Sequence, residues 1–240
     1  MKMWLCEKAP QCRGISIPKP ANESMPAKAD TAYDAVLQLL YSYSLVPGQH
    51  LSDQELACKL NIGRTPVREA LIRLAAEGKI LSAPQRGYFT RPLVEGALLD
   101  SYAVAREVLA FALTRRRPHF PFTGTSCDDL SPGELTVRAE MIFAGIAEGS
   151  SNCEVCKIID KFCFCSHPLR MKIIASELHA AFRESLSRLT EAMSQFGKAT
   201  TLVESALMNH LDVEQRAIAH VVQEVNKGRL TEFPRVARSF

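Results

Sequence analysis

A proline set just after an asparagine–glycine turn constrains the first hundred residues more than any other feature. In Asn61-Ile62-Gly63-Arg64-Thr65-Pro66-Val67, Pro66 cannot sit in a helix interior. It lacks the amide N–H, and its ring collides with the preceding turn. It fits the start of a helix, where that N–H has no intrahelical partner. The pattern therefore predicts a helix with Thr65 as N-cap and Pro66 as its first residue. Asn61 or Gly63 supplies the positive φ of the turn before it. Val67, Ala70, Leu71 and Leu74 form the buried stripe of this helix, and Gly78 stops it.

The flanks agree with this reading. Ser52 and Glu55 have capping-box spacing, which starts a short helix with Leu56, Ala57 and Leu60 inward. An earlier helix from Asp30 carries Tyr33, Val36, Leu37 and Leu40 on one face and ends before Pro47-Gly48. Past Gly78, Ile80–Ser82 and Tyr88–Thr90 read as strands joined by Pro84-Gln85-Arg86-Gly87. Helix, turn, helix and hairpin in this order make a winged helix-turn-helix.

Charge then narrows the partner. The net charge of the whole chain is only +3. Between Lys59 and Arg91, however, seven basic side chains stand against two acidic ones. Such a local excess suits a phosphate backbone. Arg64 and Arg68 are one helical turn apart and share a face. An arginine can donate two parallel hydrogen bonds to guanine, worth about 1–3 kcal/mol of discrimination. Thr65 beside them can bond a phosphate or a base edge, and Gln54 near the start of the preceding helix is placed for a phosphate. Arg86 and Gly87 form a wing tip that can approach the minor groove or backbone, and Lys79 is a further expected phosphate anchor. The expected partner is double-stranded operator DNA.

The remainder is expected to be mainly α. Residues 1–28, with four prolines, read as a flexible N-terminal tail. Residues 29–92 form the DNA-binding domain and 95–230 an antiparallel all-α bundle. Helices are expected over about 95–115, 133–148, 168–196 and 200–227, with a loop marked by Pro118, Pro121, Gly124 and Pro132. Leu98, Leu99, Tyr102, Met141, Ile142 and Leu202 are among the side chains expected inside, and the last helix stops near Gly228. Periodicity does not decide residues 153–166. No apolar run approaches the roughly 18 residues of a membrane span, and the N-terminus lacks the apolar core of a signal peptide. A cytoplasmic protein with no membrane partner is the expectation.

The eight cysteines are expected to be free thiols in such a setting. Four of them, Cys153, Cys156, Cys163 and Cys165, crowd the undecided segment with His167 nearby. Thiolate and imidazole bind zinc or iron–sulfur clusters, so a metal- or redox-sensing regulator is one alternative. The bland reading is that these are small buried apolar residues interleaved with Phe162 and Phe164. An enzyme built on the helical half is a second alternative. No nucleophile elbow, phosphate-binding glycine loop or recognisable acid pair supports it, and the expectation is a protein that is not an enzyme.

Asn-Ile-Gly-Arg-Thr-Pro-Val-Arg-Glu-Ala-Leu-Ile-Arg-Leu-Ala-Ala-Glu-Gly-Lys-Ile followed by Arg-Gly-Tyr-Phe resembles the DNA-binding domain of GntR-family bacterial transcription regulators. The resemblance runs from about Asp30 to Pro92 and departs chiefly at Gly63, where serine is usual. It implies that Arg64, Thr65, Arg68, Arg86 and Gly87 contact the operator, and that Gln54 stands where the family often has arginine. The helical half resembles more loosely the FadR-like (FCD) effector domain, with Arg106 at the place of that domain's usual arginine. This implies a homodimer and a small carboxylate effector anchored by Arg106. It also implies a possible divalent metal held by an aspartate and three histidines. Here the sequence departs: Asn152 and Cys156 stand where Asp and His are expected, and Gln215 where a further His is expected.

Overall fold

The computed structural model describes residues 28–42, 44–115, 127, 129–195 and 200–227. The expected N-terminal tail with Cys6 and Cys12, the Pro118–Gly124 stretch and the stop at Gly228 lie outside the described residues. The elements are α1 (Lys28–Tyr41), β1 (His50–Leu51), α2 (Asp53–Leu60), α3 (Arg64–Ala76), β2 (Ile80–Ala83), β3 (Gly87–Thr90), α4 (Glu95–Arg115), α5 (Pro132–Gly149), α6 (Cys153–Ile174), α7 (His179–Ser194) and α8 (Thr200–Asn226). The chain is mainly α, with one small antiparallel sheet in the order β1-β3-β2.

The N-terminal elements follow the local chemistry closely. Ser52 Oγ accepts the Glu55 amide at 3.3 Å and starts α2. Asn61 ends that helix in the left-handed region, φ 53°, so the turn relies on Asn61, while Gly63 is extended. Gly63 rather than Thr65 is the N-cap of α3, and the helix starts earlier than the proline suggested. The reason is that every amide of a first helical turn lacks an intrahelical acceptor, so Pro66 is tolerated at the third position as well as the first. Gly78, φ 71°, turns the chain out of α3, with Lys79 N–H donating to Leu74 O at 2.9 Å. The wing gains a strand that pattern reading missed. His50 pairs with Phe89 and Leu51 with Tyr88, but two residues are too few to show a period.

The undecided segment is helix. Asn152 Oδ1 caps α6 by accepting the Glu154 and Val155 amides at 3.0 and 3.4 Å, and the helix runs on through Pro168 to Ile174. Near that proline, side chains reach carbonyls of the preceding turns: Ser166 Oγ donates to Phe162 O at 2.5 Å, and Arg170 Nη1 reaches Cys163 O at 3.4 Å. The single helix expected over 168–196 is instead two. Ser176 separates them, its Oγ donating to Ile173 O at 2.7 Å and accepting Leu178 N–H at 3.2 Å. Leu99, Met141 and Leu202, expected inside, are 37%, 43% and 48% exposed.

Two apolar cores form. One joins α1, α2, α3 and the wing around Val36, Val67, Leu71 and Leu74. The other joins α4 to α8 around Tyr102, Phe143, Phe182 and Leu211. They meet at the end of α1, where Phe164 of α6 packs against the first core and sits edge-on to Tyr41, ring centroids 5.5 Å apart. His167 Nε2–H donates to Tyr41 O at 2.8 Å, and its Nδ1 lies 2.8 Å from Glu140 Oε1. Among the described residues no helix is long and apolar enough to cross a membrane.

The bundle interior holds a fully buried ion pair. Arg170 Nε donates to Glu214 Oε1 at 2.8 Å, and both side chains are 0% exposed. Tyr102 O–H donates to the second oxygen of Glu214. Arg170 Nη1 also reaches Glu140 at 3.2 Å, and His210 Nε2 stands 3.2 Å from Glu214 Oε1. Burial alone would raise the Glu214 pKa, but Arg170 and His210 draw it down to about 2. A carboxyl with a depressed folded pKa stabilises above its unfolded value, about 4.3, and that contribution is lost as the pH falls towards the folded value. Removing one partner of a buried pair leaves the other uncompensated, at about 3–5 kcal/mol. Glu214→Gln should therefore lower the unfolding free energy in urea by about that amount. It should also flatten the loss of stability between about pH 5 and pH 2, read from midpoints measured across that range.

Candidate nucleic-acid interface

The residues that sequence chemistry pointed to lie on α2, on α3 and in the turn between β2 and β3. The apolar stripe of α3 (Val67, Ala70, Leu71, Leu74) faces the core. That packing turns the N-terminal part of the helix outward: Arg64, Thr65 and Arg68 are all exposed. Arg64 Nη2 donates to Asp53 Oδ1 in the first turn of α2 at 3.1 Å, an exposed pair that holds the guanidinium loosely. Arg68 meets no carboxylate among the described residues. Gln54 is exposed on the first turn of α2. Ile72, one turn beyond Arg68, is 52% exposed. It offers an apolar edge on this face that the charge-led reading did not single out. Its signal was an apolar residue outside the core stripe of α3.

The wing tip is a tight turn. Arg86 N–H donates to Ala83 O at 3.0 Å, and Pro84 and Gln85 occupy the central positions. Gln85 has φ 61° and Gly87 φ 90°. A Cβ on Gly87 would come within 3.1 Å of His50 Nε2, so this glycine answers both a backbone and a space requirement. Arg86 and Gly87 are exposed.

Lys79 does not join this surface. It lies in a polar cluster that ties α1 to the end of α3. Tyr33 O–H donates to Glu77 Oε2 at 2.5 Å, Lys79 Nζ donates to Tyr33 Oη at 2.9 Å and pairs with Glu77 at 3.1 Å, and Arg73 bridges Glu77 at 3.2 Å and Asp30 at 3.0 Å. Burial would lower the Lys79 pKa, but the Tyr33 and Glu77 contacts raise it above its usual value. The expectation that Lys79 anchors phosphate is therefore corrected: the side chain is only 20% exposed and held by its neighbours.

The expected sites in the helical half are less complete. Arg106 is half-buried and its Nη1 lies 2.5 Å from Asp212 Oδ1, so α4 and α8 are joined by an ion pair there. The four cysteines share α6 but do not converge. Cys153 is exposed, Cys156 and Cys165 are intermediate, and Cys163 is buried with its thiol pKa pushed up by burial. Helical spacing puts Cys163 and Cys165 on different sides of the helix. Among the described residues no three histidine, cysteine or acidic side chains are grouped to hold a metal ion. The residues at the positions where the FCD resemblance implies metal ligands do not fit one either. Asn152 is a helix cap, Cys156 and Gln215 are half-buried, and His210 is held by Ser185 at 2.8 Å and lies beside Glu214. The buried Arg170–Glu214 pair went unnoticed in the sequence. Its signal was there: Glu214 falls on the stripe Leu207, Leu211, Ile218, Val221 of α8, and Arg170 adjoins Leu169, Ile173 and Ile174 in α6.

Comparison with known proteins accords with the N-terminal geometry. Residues 28–90 match the family model of bacterial regulatory proteins of the gntR family. The chain is 43% identical over 61 residues to the Nta operon transcriptional regulator of Aminobacter aminovorans, covering 25% of this chain and 29% of that protein. It is 36% identical over 72 residues to the HTH-type transcriptional repressor RspR of Escherichia coli K12, covering 30% and 31% respectively. In both, the match spans less than a third of the relative's length. Among solved structures, a GntR protein of Rhodococcus sp. RHA1 superposes with a TM-score of 0.63 at 15% identity, covering 81% of this chain and 98% of that one. Escherichia coli McbR/YncC superposes with a TM-score of 0.57 at 20% identity, covering 84% and 100%. These two share the fold of the chain.

Gly87→Ala should destabilise the N-terminal domain by about 1–2 kcal/mol through its positive φ and the His50 contact. Hydrogen exchange on the full chain should show this as faster exchange in β2 and β3.

Proposed function

We propose that this chain is a sequence-specific transcription regulator that docks α3 in the major groove of operator DNA and lays its wing on the adjacent backbone or minor groove. The observation that carries the reading is the outward row Arg64, Thr65 and Arg68 on α3, together with an exposed Arg86–Gly87 wing tip, in a stretch that matches the gntR family model. Arg64 and Arg68 would read guanine edges. Thr65 would bond phosphate or a base edge, and Gln54 and Arg86 would hold the backbone and set register. Asp53 would release or share Arg64 on docking, at the small cost of an exposed ion pair. Ile72 is suited to a thymine methyl group. The protein would act in the cytoplasm.

We further propose that the chain works as a homodimer, its two α3 helices reaching successive major grooves of a pseudo-palindrome. The solvent-facing apolar side chains Phe111 of α4 and Val137 and Met141 of α5 suit burial against a second copy. The helical half would be an FCD-type effector domain, residues 95–230. There a small carboxylate would bias the placement of the two reading heads by population shift. Arg106 remains the candidate anchor, and its pairing with Asp212 means that a carboxylate would have to compete for the guanidinium.

Selection of bound duplexes from a random pool supplies the operator. Arg64→Ala should then lower affinity for the preferred site by about 1–3 kcal/mol and relax preference at one position. Arg86→Ala should weaken binding to all sequences and reduce the slope of log K against log salt by about 1. Unchanged affinity and preference in Arg64→Ala would overturn the docking.

A further inference from the structure

Where the two cores meet, the structure leaves a cleft of about 450 Å³, and we propose that it binds a small amphipathic anion with an apolar body and one acidic group. The proposal rests on the effector-controlled reading above and adds a ligand site at the junction between the bundle and the N-terminal domain, apart from Arg106.

The volume lies in the range of small-molecule sites, which favour such junctions. The walls are largely apolar: Leu45 from the head, Leu93 from the linker, Leu98 and Val104 from α4, and Ile158 and Phe162 from α6. They leave room for a hydrocarbon or aromatic body and disfavour a bare inorganic ion. Three cations, Lys79, Arg91 and Lys161, line the cleft against one carboxylate, Asp100. Lys79 is neutralised by Glu77. Arg91 donates to the Gly78 carbonyl at 2.9 Å, which carries no charge, and Lys161 is exposed. Among the described residues neither Arg91 nor Lys161 meets a carboxylate. Arg91 and Lys161 line this cleft together with the half-buried Cys165. The acidic group of the ligand belongs there.

The position supplies the coupling. Tyr41, Phe164 and His167 also line the cleft, and these side chains make the contacts between α1 and α6. Pro92 and Val94 of the linker complete the wall. A ligand seated here touches the linker and both sides of the junction, so its binding energy can favour one placement of the N-terminal domain over another.

The test uses the full chain and anilinonaphthalene sulfonate, an aromatic body with a single sulfonate, as the probe. Saturable fluorescence with one probe per chain is expected, together with slower alkylation of Cys165 but not of the exposed Cys58 and Cys153. Lys161→Glu, at an exposed position, should weaken probe binding about tenfold. Ser101→Trp, which fills the cleft from α4, should abolish it, with unchanged melting curves as the control for folding. Equal probe affinity in wild type and Lys161→Glu, or no protection of Cys165, overturns the site. Selection of duplex DNA by the ligand-free protein separates the two readings. Retained duplexes without cleft binding sink the cleft alone, whereas Lys161-dependent probe binding without retained duplexes supports the cleft and sinks the regulator.

Discussion

The helical half depends on one buried guanidinium. Arg170 has no exposed surface, so its charge is tolerable only because Glu214, itself fully buried, meets it at 2.8 Å and Glu140 takes a second contact. Each partner comes from a different helix: Arg170 from α6, Glu214 from α8, Glu140 from α5, and Tyr102, which donates to Glu214, from α4. Apolar packing alone tolerates small slips between helices, whereas a buried charge network has one low-energy arrangement. The aromatic faces of Phe143 and Phe162, each 5.2 Å from the guanidinium carbon, close the rest of the pocket around the cation.

This network extends to the N-terminal domain. Glu140 binds Arg170 and also lies against His167, whose other nitrogen donates to the last carbonyl of α1. A helix C-terminus offers carbonyls with no intrahelical partner, so the contact satisfies an otherwise orphaned acceptor while joining the two cores. The surface proposed to meet DNA lies elsewhere on this domain. The contacts of α1 with α6 use Tyr41, while Arg64, Thr65 and Arg68 face solvent. The head can therefore be held from behind without covering the surface proposed to meet DNA.

The polar cluster around Tyr33 shows why a charge count alone misassigns residues. Seven basic side chains lie between Lys59 and Arg91, but Arg73 and Lys79 are held by Glu77, Tyr33 and Asp30, and Arg91 turns to a carbonyl. Arg68 and Arg86 stay exposed, and Arg64 keeps only a surface pair with Asp53. Likewise, four cysteines close in sequence do not converge: Cys153, Cys156 and Cys163 are spread along one face of α6 and Cys165 lies on the opposite side, because a helix rotates about 100° and rises about 1.5 Å per residue.

The N-terminal domain was legible because its determinants are local. Ser52 caps its own helix, Asn61 takes the left-handed turn, Gly78 ends α3, and the α3 stripe has the helical period. The candidate interface inherited that legibility, since exposure on α3 follows from burial of Val67, Ala70, Leu71 and Leu74. In the helical half the apolar stripes disclosed most helices, but not the break at Ser176, where a serine side chain replaces the next helical hydrogen bonds. Nor could they disclose which charged residues meet inside. Arg170 and Glu214 are 44 positions apart, and nothing local distinguishes a buried charge with a partner from an amphipathic face with an error in it. The cleft at the junction belongs to the same class of fact: residues from α1, the linker, α4 and α6 line it. By itself the sequence determined a helix-turn-helix with a basic outward face, through caps, turns and period. Only tertiary packing decided which cations are neutralised, where the buried charges pair and what space remains between the two cores, because those depend on contacts between distant segments.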